Sequence, residues 1–176
     1  MQTKDEETGR LVKQKRSDAF IMKTRRYVKE DWSKWLEMRS DLWPHCPAAK
    51  HEEEMAQIAV GYPCEPDSLK TDVLFCEDEN GILIGFAELS LRRRLDGFES
   101  SPVAYLEGWY VVEAMRGRGI GKTIIKGVEQ WAKKQGCREL ASDTEPENTT
   151  SIRAHELLGF KRYGTSAEGI LFRKIV

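Results

Sequence analysis

The sequence predicts a single α+β domain, and three observations carry that reading. Apolar residues recur at helical spacing in several separated segments, runs of β-branched and aromatic residues stand between them, and no repeat or second composition zone divides the chain. The 176 residues amount to one domain, since domains usually run to roughly 100–200 residues. With 40% hydrophobic and 32% charged residues the composition is ordinary globular, which excludes collagen-like and wholly disordered classes.

Residues 1–18 hold almost no apolar side chains and alternate in charge, so they are expected as a flexible extension unable to offset its own ordering entropy. The domain is expected over 19–176, opening on a short strand near Phe20, Ile21 and Met22. Between Lys29 and Trp43 the residues Trp32, Trp35, Leu36, Leu42 and Trp43 fall on one helical face. Pro44 ends that helix, because the residue before a proline is pushed out of the helical region. Ala48 to Val60 reads as a second helix, closed by Gly61 and Pro63. Strands follow over Val73–Cys76 and Leu83–Leu91, joined by a turn at Glu79, Asn80 and Gly81; Asn-Gly is a strong hairpin signal. After a loop from Arg92 to Pro102, Val103–Val112 reads as a long strand. A glycine turn leads into a helix with Ile120, Ile124, Val128, Trp131 and Ala132 on one face and Lys122, Lys126, Glu129 and Lys133 on the other. Gly136 stops it. A short strand at Leu140–Asp143, a helix at Asn148–Leu158 and a strand at Gly169–Ile175 complete the reading.

Composition also bears on function. Lys plus Arg total 28 against 29 for Asp plus Glu, and without a basic excess no nucleic-acid partner is expected. The run Arg92, Arg93, Arg94 reads either as a solvated loop or as a polyanion site. Cys46, Cys64, Cys76 and Cys137 show neither C-x-x-C spacing nor a nearby His pair, so no metal is expected and reduced thiols fit best. No stretch approaches the roughly 20 apolar residues of a membrane helix; the densest, Val103–Val112, is broken by Glu107. The N-terminus lacks the apolar core of a secretion signal. A cytoplasmic protein without membrane contact is the expectation.

The most informative segment runs strand, glycine turn, helix: Val111, Val112, Glu113, Ala114, Met115, Arg116, Gly117, Arg118, Gly119, Ile120, Gly121, Lys122. A helix N-terminus leaves about four N–H groups unpaired and carries partial positive charge. Glycines let those donors converge on an anion with no side chain in the way. The segment lacks the G-K-[ST] ending of a nucleotide-triphosphate loop, and its spacing differs from the dinucleotide fingerprint. A phosphate cradle and a plain glycine-rich turn are both open on the motif alone.

The string Arg116-Gly117-Arg118-Gly119-Ile120-Gly121 resembles the R/Q-x-x-G-x-G/A signature of the GNAT superfamily of N-acetyltransferases. Asn148, opening a helix that ends at Leu158-Gly159-Phe160, is similar to that superfamily's next block. The resemblance implies a mixed, strongly twisted sheet, splayed open in the middle and flanked by helices on both faces. It further implies acetyl coenzyme A in the opening, with its pyrophosphate on the amides of Gly117 to Lys122. Within the superfamily, Leu42-Trp43-Pro44, Ser100-Ser101-Pro102-Val103, Leu106-Glu107-Gly108, Gly136-Cys137-Arg138-Glu139 and the long string Ala141-Ser142-Asp143-Thr144-Glu145-Pro146-Glu147-Asn148 resemble aminoglycoside 6′-N-acetyltransferases.

That resemblance implies acetyl transfer to the 6′-amine of an aminoglycoside, giving resistance, and relatives suggest a homodimer. The alternatives are acetylation of a polyamine or protein amine, and a module that binds an acyl coenzyme A or an antibiotic without turnover. The resemblance places Glu107 and Asp143 at the substrate amines, with Trp43 as a pocket wall and Glu168 as a looser acidic contact. Such a site can take a proton from the attacking amine. For Asp143 a turn or helix cap is equally compatible, whereas Glu107 within an apolar strand is costly to bury without a partner or a cationic ligand. A backbone N–H from Trp109, Tyr110 or Val111, with Val111 favoured, should meet the thioester oxygen. Asn148 should touch the cofactor, as should Arg116 and Arg118 with the glycine turn. Many family members carry a tyrosine that protonates the leaving thiolate; His155 stands there, either as a charged donor or as a packed residue, with water as a further proton source. Relatives also carry an aromatic residue in the loop after Arg92. Here Arg93, Arg94 and Leu95 take its place, and the arginines would repel a polycation unless they point away or pair with Asp96 and Glu99.

Overall fold

The computed structural model describes residues 21–166 and 169–176; the expected extension over 1–18, Phe20 and Glu168 lie outside them. The chain runs β1 (Met22–Arg26), a 3₁₀ turn (Lys29–Asp31), α1 (Trp32–Leu42), α2 (Ala48–Ala59), β2 (Ser68–Asp78), β3 (Leu83–Arg92), β4 (Val103–Val111), α3 (Ile120–Lys134), β5 (Glu139–Thr144), α4 (Thr149–Leu157), β6 (Lys161–Ser166) and β7 (Gly169–Ile175). The seven strands form one sheet in the order β1-β2-β3-β4-β5-β7-β6. Only β4 and β5 are parallel neighbours, and α3 is the crossover that such a pair requires.

Strand alternation sorts most of the apolar residues into two cores, beside a smaller cluster of Val103, Tyr105, Ala141 and Leu171. On one face, Leu74 and Cys76 of β2, Ala87 and Leu89 of β3 and Leu106 of β4 pack with Ile120, Ile124 and Val128 of α3 and Ile152 of α4. On the other, Val73 and Phe75 of β2, Phe86 of β3 and Tyr110 of β4 pack with Trp35, Met38, Met55 and Ile58 of α1 and α2. Helices therefore cover both faces of a mixed sheet, as the resemblance implies. The sheet also opens in the middle. Ladder pairing of β4 with β5 covers only Ala104, Tyr105 and Leu106 against Leu140, Ala141 and Ser142, while β4 runs on to Val111 without a β5 partner.

Two elements depart from the sequence reading. Strand β6 has no counterpart in it, because Lys161–Thr165 are all exposed and carry no apolar alternation; an edge strand needs none. Strand β2 begins at Ser68 rather than Val73. Its early polar residues have partners: Asp72 accepts hydrogen bonds from Arg26 Nη2 at 2.5 Å and from the Trp131 indole at 2.9 Å.

The turn into α1 is pinned by Arg25. Its Nη1 and Nη2 donate to Asp31 Oδ2 and Oδ1 at 2.7 and 2.8 Å, and its Nε to Glu77 Oε2 at 2.5 Å. Burial pushes the Asp31 carboxyl up, but Arg25 and the Val28 N–H outweigh it and hold the group below its ordinary value. Glu77 is likewise held low, by Arg25 and then Lys23. A carboxyl depressed by folding stabilises the fold above its unfolded pKa, and that stability is lost as pH falls through the folded value. Arg25→Gln should therefore cost about 2 kcal/mol at pH 7. The variant should also lose less additional stability than the parent on acidification from pH 6 to 3, as urea denaturation at each pH would show.

Candidate functional site

The opening between β4 and β5 forms a cleft of about 1240 Å³. Its donor end is the turn into α3. Gly117 and Gly119 adopt φ of +77° and +84°, a region favouring glycine, and an added Cβ at either would meet no protein atom within 4 Å. Among the described residues the N–H groups of Gly117 to Lys122 find no backbone acceptor; the first paired amide is Thr123 N–H on Gly119 O, at 3.1 Å. A row of free donors over open space at a helix N-terminus fits an anionic group such as a pyrophosphate.

Val111 stands beside this turn. The N–H of Val112 donates to Ile84 O at 3.0 Å. By the alternation of antiparallel ladders, the neighbouring Gly85–Val111 pair is then a non-hydrogen-bonded one. The N–H and C=O of Val111 therefore face the opening, and Arg116 Nε caps the carbonyl at 3.1 Å. Trp109 shares that main-chain orientation, and its ring packs beneath α3, where a Cβ on Gly121 would lie 2.8 Å from it. Ile120 has its side chain in the core and Tyr110 has its own against α1, with its hydroxyl on Asp41 Oδ2 at 3.0 Å. Arg118 and Lys122 are exposed and lie outside the cleft lining. Asn148 lines the cleft, but its Oδ1 caps α4 by accepting from Ser151 N–H at 3.0 Å.

The acceptor end depends on a β-bulge. Leu106 faces Leu89 and Gly108 faces Glu88, which leaves Glu107 as an extra residue in β4. The slip changes which face β4 presents. Tyr105, Gly108 and Tyr110 all turn toward the α1 side, with Glu107 among them. On that side β3 presents Glu88, Ser90 and Arg92. The Cζ2–Cη2 edge of the Trp43 ring abuts Gly108, where a Cβ would stand 2.5 Å from Cζ2, and the Arg39 guanidinium sits 4.9 Å from the centre of the same ring. Arg39 is itself fixed by Glu54 at 2.7 Å and by Glu88 at 3.0 Å, while the Trp35 indole donates to Glu88 at 2.8 Å. Burial pushes Glu88 up to about 7 against the opposing pull of Arg39 and Trp35.

Glu107 and Asp143 share this site, and both line the cleft. Glu107 accepts from the Ser90 hydroxyl and from Arg92 Nη2, at 3.1 Å to each carboxylate oxygen. Its side chain is 31% accessible, yet it stands at the floor of a concavity crowded by protein. Desolvation there raises its pKa, with Arg92 and Ser90 opposing and Asp143 reinforcing the rise. Asp143 accepts from the Tyr105 hydroxyl at 2.5 Å; it is not the helix cap that the sequence also allowed, since Asn148 fills that post. Two arrangements are open for the arginine run, pointing away or pairing with Asp96 and Glu99: Arg93 and Arg94 are exposed, while Arg92 belongs to β3 and pairs with Glu107. Sequence reading missed Ser90, Tyr105, Arg39 and Glu88. The alternation of polar residues along β3 was a usable signal, but the bulge that brings them to Glu107 leaves none.

His155 lies on the opposite face of the sheet, 1% exposed and stacked on Phe172 with ring centres 4.6 Å apart. Its Nδ1 meets Ser151 O at 2.8 Å and its Nε2 the Ser142 hydroxyl at 3.0 Å. A carbonyl only accepts, so Nδ1 carries the hydrogen, and burial lowers the pKa of the ring. This is a packed, neutral histidine.

Free amides at one end of the cleft and carboxylates at the other suit an anionic donor and a cationic acceptor, an arrangement of a group-transferring enzyme. The profile of the acetyltransferase (GNAT) family matches residues 32–160. The chain is 41% identical over 130 residues to an aminoglycoside N(6′)-acetyltransferase type 1 of Klebsiella aerogenes, covering 74% of this chain and 83% of that one. With the Salmonella enteritidis protein of the same name the identity is 38% over 141 residues, covering 80% and 92%. The structure of aminoglycoside N-acetyltransferase AAC(6′)-Iy in complex with CoA superposes with a TM-score of 0.72 at 35% identity, over 84% of this chain and 92% of that one. The same enzyme with a bisubstrate analogue, CoA-S-monomethyl-acetylneamine, gives 0.69 at 37% identity over 80% and 91%. The chain belongs to the GNAT family of acetyltransferases, and its cosubstrate is acetyl coenzyme A.

Two substitutions test the two ends of the cleft separately. Gly119→Val forces a β-branched residue into positive φ beside the free amides. It should weaken acetyl coenzyme A binding at least tenfold, about 1.4 kcal/mol, measured by calorimetry on folded protein. Gly108→Ala should dislodge Trp43 and raise the acceptor KM several-fold, while calorimetric affinity for acetyl coenzyme A stays at the parent value.

Proposed function

We propose that this chain transfers acetyl from acetyl coenzyme A to the 6′-amine of aminoglycosides, and that this underlies resistance to them. The observation that carries the reading is the pairing of Glu107 and Asp143 on one face of the sheet, beneath the Trp43 ring, at the open end of β4. Relatives whose names state this activity share 35–41% of their residues with it.

The donor brings a thioester, whose carbonyl oxygen is to be met by the Val111 N–H as charge builds on it. The amides of Gly117 to Lys122, with Arg116, hold the anionic end of the donor. Trp43 walls the acceptor ring, and Glu107 and Asp143 attract and orient its ammonium. The raised pKa of Glu107 makes it the better base of an ordinary carboxylate, so it takes the ammonium proton directly or through water. The amine nitrogen then forms its bond to the acyl carbon as the carbon–sulfur bond breaks. The leaving thiolate draws its proton from water, because His155 has no hydrogen to give from Nε2. We place Asn148 beside the donor and keep Glu168 as an outer acidic contact. Free cysteines at positions 46, 64, 76 and 137 fit a reducing cytoplasm, and a homodimer is carried from the family resemblance.

Neomycin and paromomycin decide the regiochemistry, since they carry an amine and a hydroxyl respectively at the 6′ position. Thiol release is expected with kanamycin and neomycin and to be lower by roughly 10⁴-fold with paromomycin, whose hydroxyl brings no positive charge to Glu107 and Asp143 and attacks a thioester poorly at neutral pH. Equal turnover of the pair would reject the 6′ assignment, and turnover of polyamines or peptides alone would replace the acceptor class. Glu107→Gln and Asp143→Asn should each lower kcat/KM by roughly 10²-fold; a loss confined to kcat marks proton transfer, and a rise in KM alone marks binding. His155→Phe should retain the parent rate.

A further inference from the structure

We infer that Arg92 sets acceptor specificity: its guanidinium stands on Glu107 in place of the acceptor's ammonium, so that only amines bearing further positive charges take that carboxylate from it efficiently. The inference rests on the acceptor reading above.

Three contacts hold the guanidinium there. Its Nη2 reaches both oxygens of Glu107 at 3.1 Å, and its carbon lies 3.5 Å from the centre of the Tyr105 ring. The hydroxyl of that same ring donates to Asp143. Arg92 therefore pairs with one of the two carboxylates that the acceptor needs while stacked on the aromatic side chain whose hydroxyl donates to the other.

Removing it has a cost that depends on what arrives. A monoamine that displaces Arg92 exchanges one cation for another on Glu107. It gains little Coulomb energy and forfeits the stacking on Tyr105. A polyamine meets more. Beside Glu107 and Asp143 a second cavity of about 340 Å³ opens, lined also by Glu65, Asp67 and Ser68, and Arg92 is the one cation among its lining residues. Four carboxylates against one guanidinium leave attraction for several ammonium groups beyond the one that is exchanged. Each added charge on the acceptor helps offset the displacement, which makes Arg92 a repulsive element against small amines rather than a barrier to polycations. The side chain is 20% exposed, so the guanidinium has solvent to swing into when it leaves.

The pattern of rates separates this from a merely structural arginine. Kanamycin is compared with 6-amino-6-deoxyglucose, a single amino sugar that carries the same kind of reacting amine and one positive charge. The parent should favour kanamycin strongly. In Arg92→Gln the ratio of the two kcat/KM values should narrow at least tenfold, through a lower KM for the amino sugar with kcat little changed. Arg92→Lys keeps the charge but gives up the two-oxygen contact and should narrow the ratio about threefold. Thermal melting confirms that each variant is folded. An unchanged ratio in Arg92→Gln, or an equal loss on both acceptors, overturns the inference and leaves the acceptor reading standing. If that variant does not fold, the lysine variant decides, and a parental ratio in it overturns the inference. A parent protein silent with kanamycin overturns the acceptor reading and this inference together.

Discussion

Everything at the acceptor end follows from one extra residue in β4. A strand alternates its side chains strictly, so Glu107 and Gly108 cannot both face the α1 side of a regular ladder. The bulge opposite Glu88 and Leu89 removes that constraint. It turns a carboxylate into the cleft and sets a glycine directly after it, and the glycine is the position on which the Trp43 ring rests. Without the slip, Gly108 would face α3 along with Leu106, and the edge of the Trp43 ring would meet a side chain where it now meets a bare Cα. The bulge also falls immediately beyond the last residue that pairs with β5. The strand is thus free to distort only where its parallel neighbour has already let go.

The second constraint is electrostatic. Burying Glu88 next to the cleft is expensive, and its carboxyl is pushed up to about 7 by that burial. Arg39 and the Trp35 indole compensate in part, and Arg39 in turn stacks on Trp43. A buried ion pair of this kind is weak as a source of stability, because desolvation offsets most of the attraction. Its geometric effect is plainer. It ties α1, α2 and β3 to one another through side chains that also touch the pocket wall, so the wall's position is fixed by three elements rather than by a loop. Ser90, Arg92 and Tyr105 do the same for Glu107 and Asp143.

How much of this was legible in the sequence depended on whether the signal was local. The helix over Ile120–Lys134, the asparagine-glycine hairpin and the glycine turn are written in spacing and turn chemistry, and they appear where expected. Glu107 stood out because a carboxylate in an apolar strand needs a reason. Strand β6 was invisible because an exposed edge has no apolar period to read. The partners of Glu107 were invisible for a different cause. Arg92 was counted with its neighbours as a loop arginine, and only the pairing of β3 with β4 shows that it is the last residue of a strand, two residues beyond the one that faces Tyr105. His155 was ambiguous on its helix face and is resolved by Phe172, from a strand seventeen residues further on.

The sorting of side chains by face has a consequence for how such a chain can change over generations. The free amides sit at the start of α3, whose apolar side chains fill one core; the opposite end of the cleft draws on α1, α2 and the even-numbered positions of β3, which belong to the other. The two sets of residues share little besides the backbone of β4. Substitutions at Trp43, Glu65, Ser90 or Arg92 can therefore reshape one end of the cleft while the glycine turn and α3 are left alone. Two ends of one cleft, built from opposite faces of one sheet, let a single scaffold hold one constant while the other diverges.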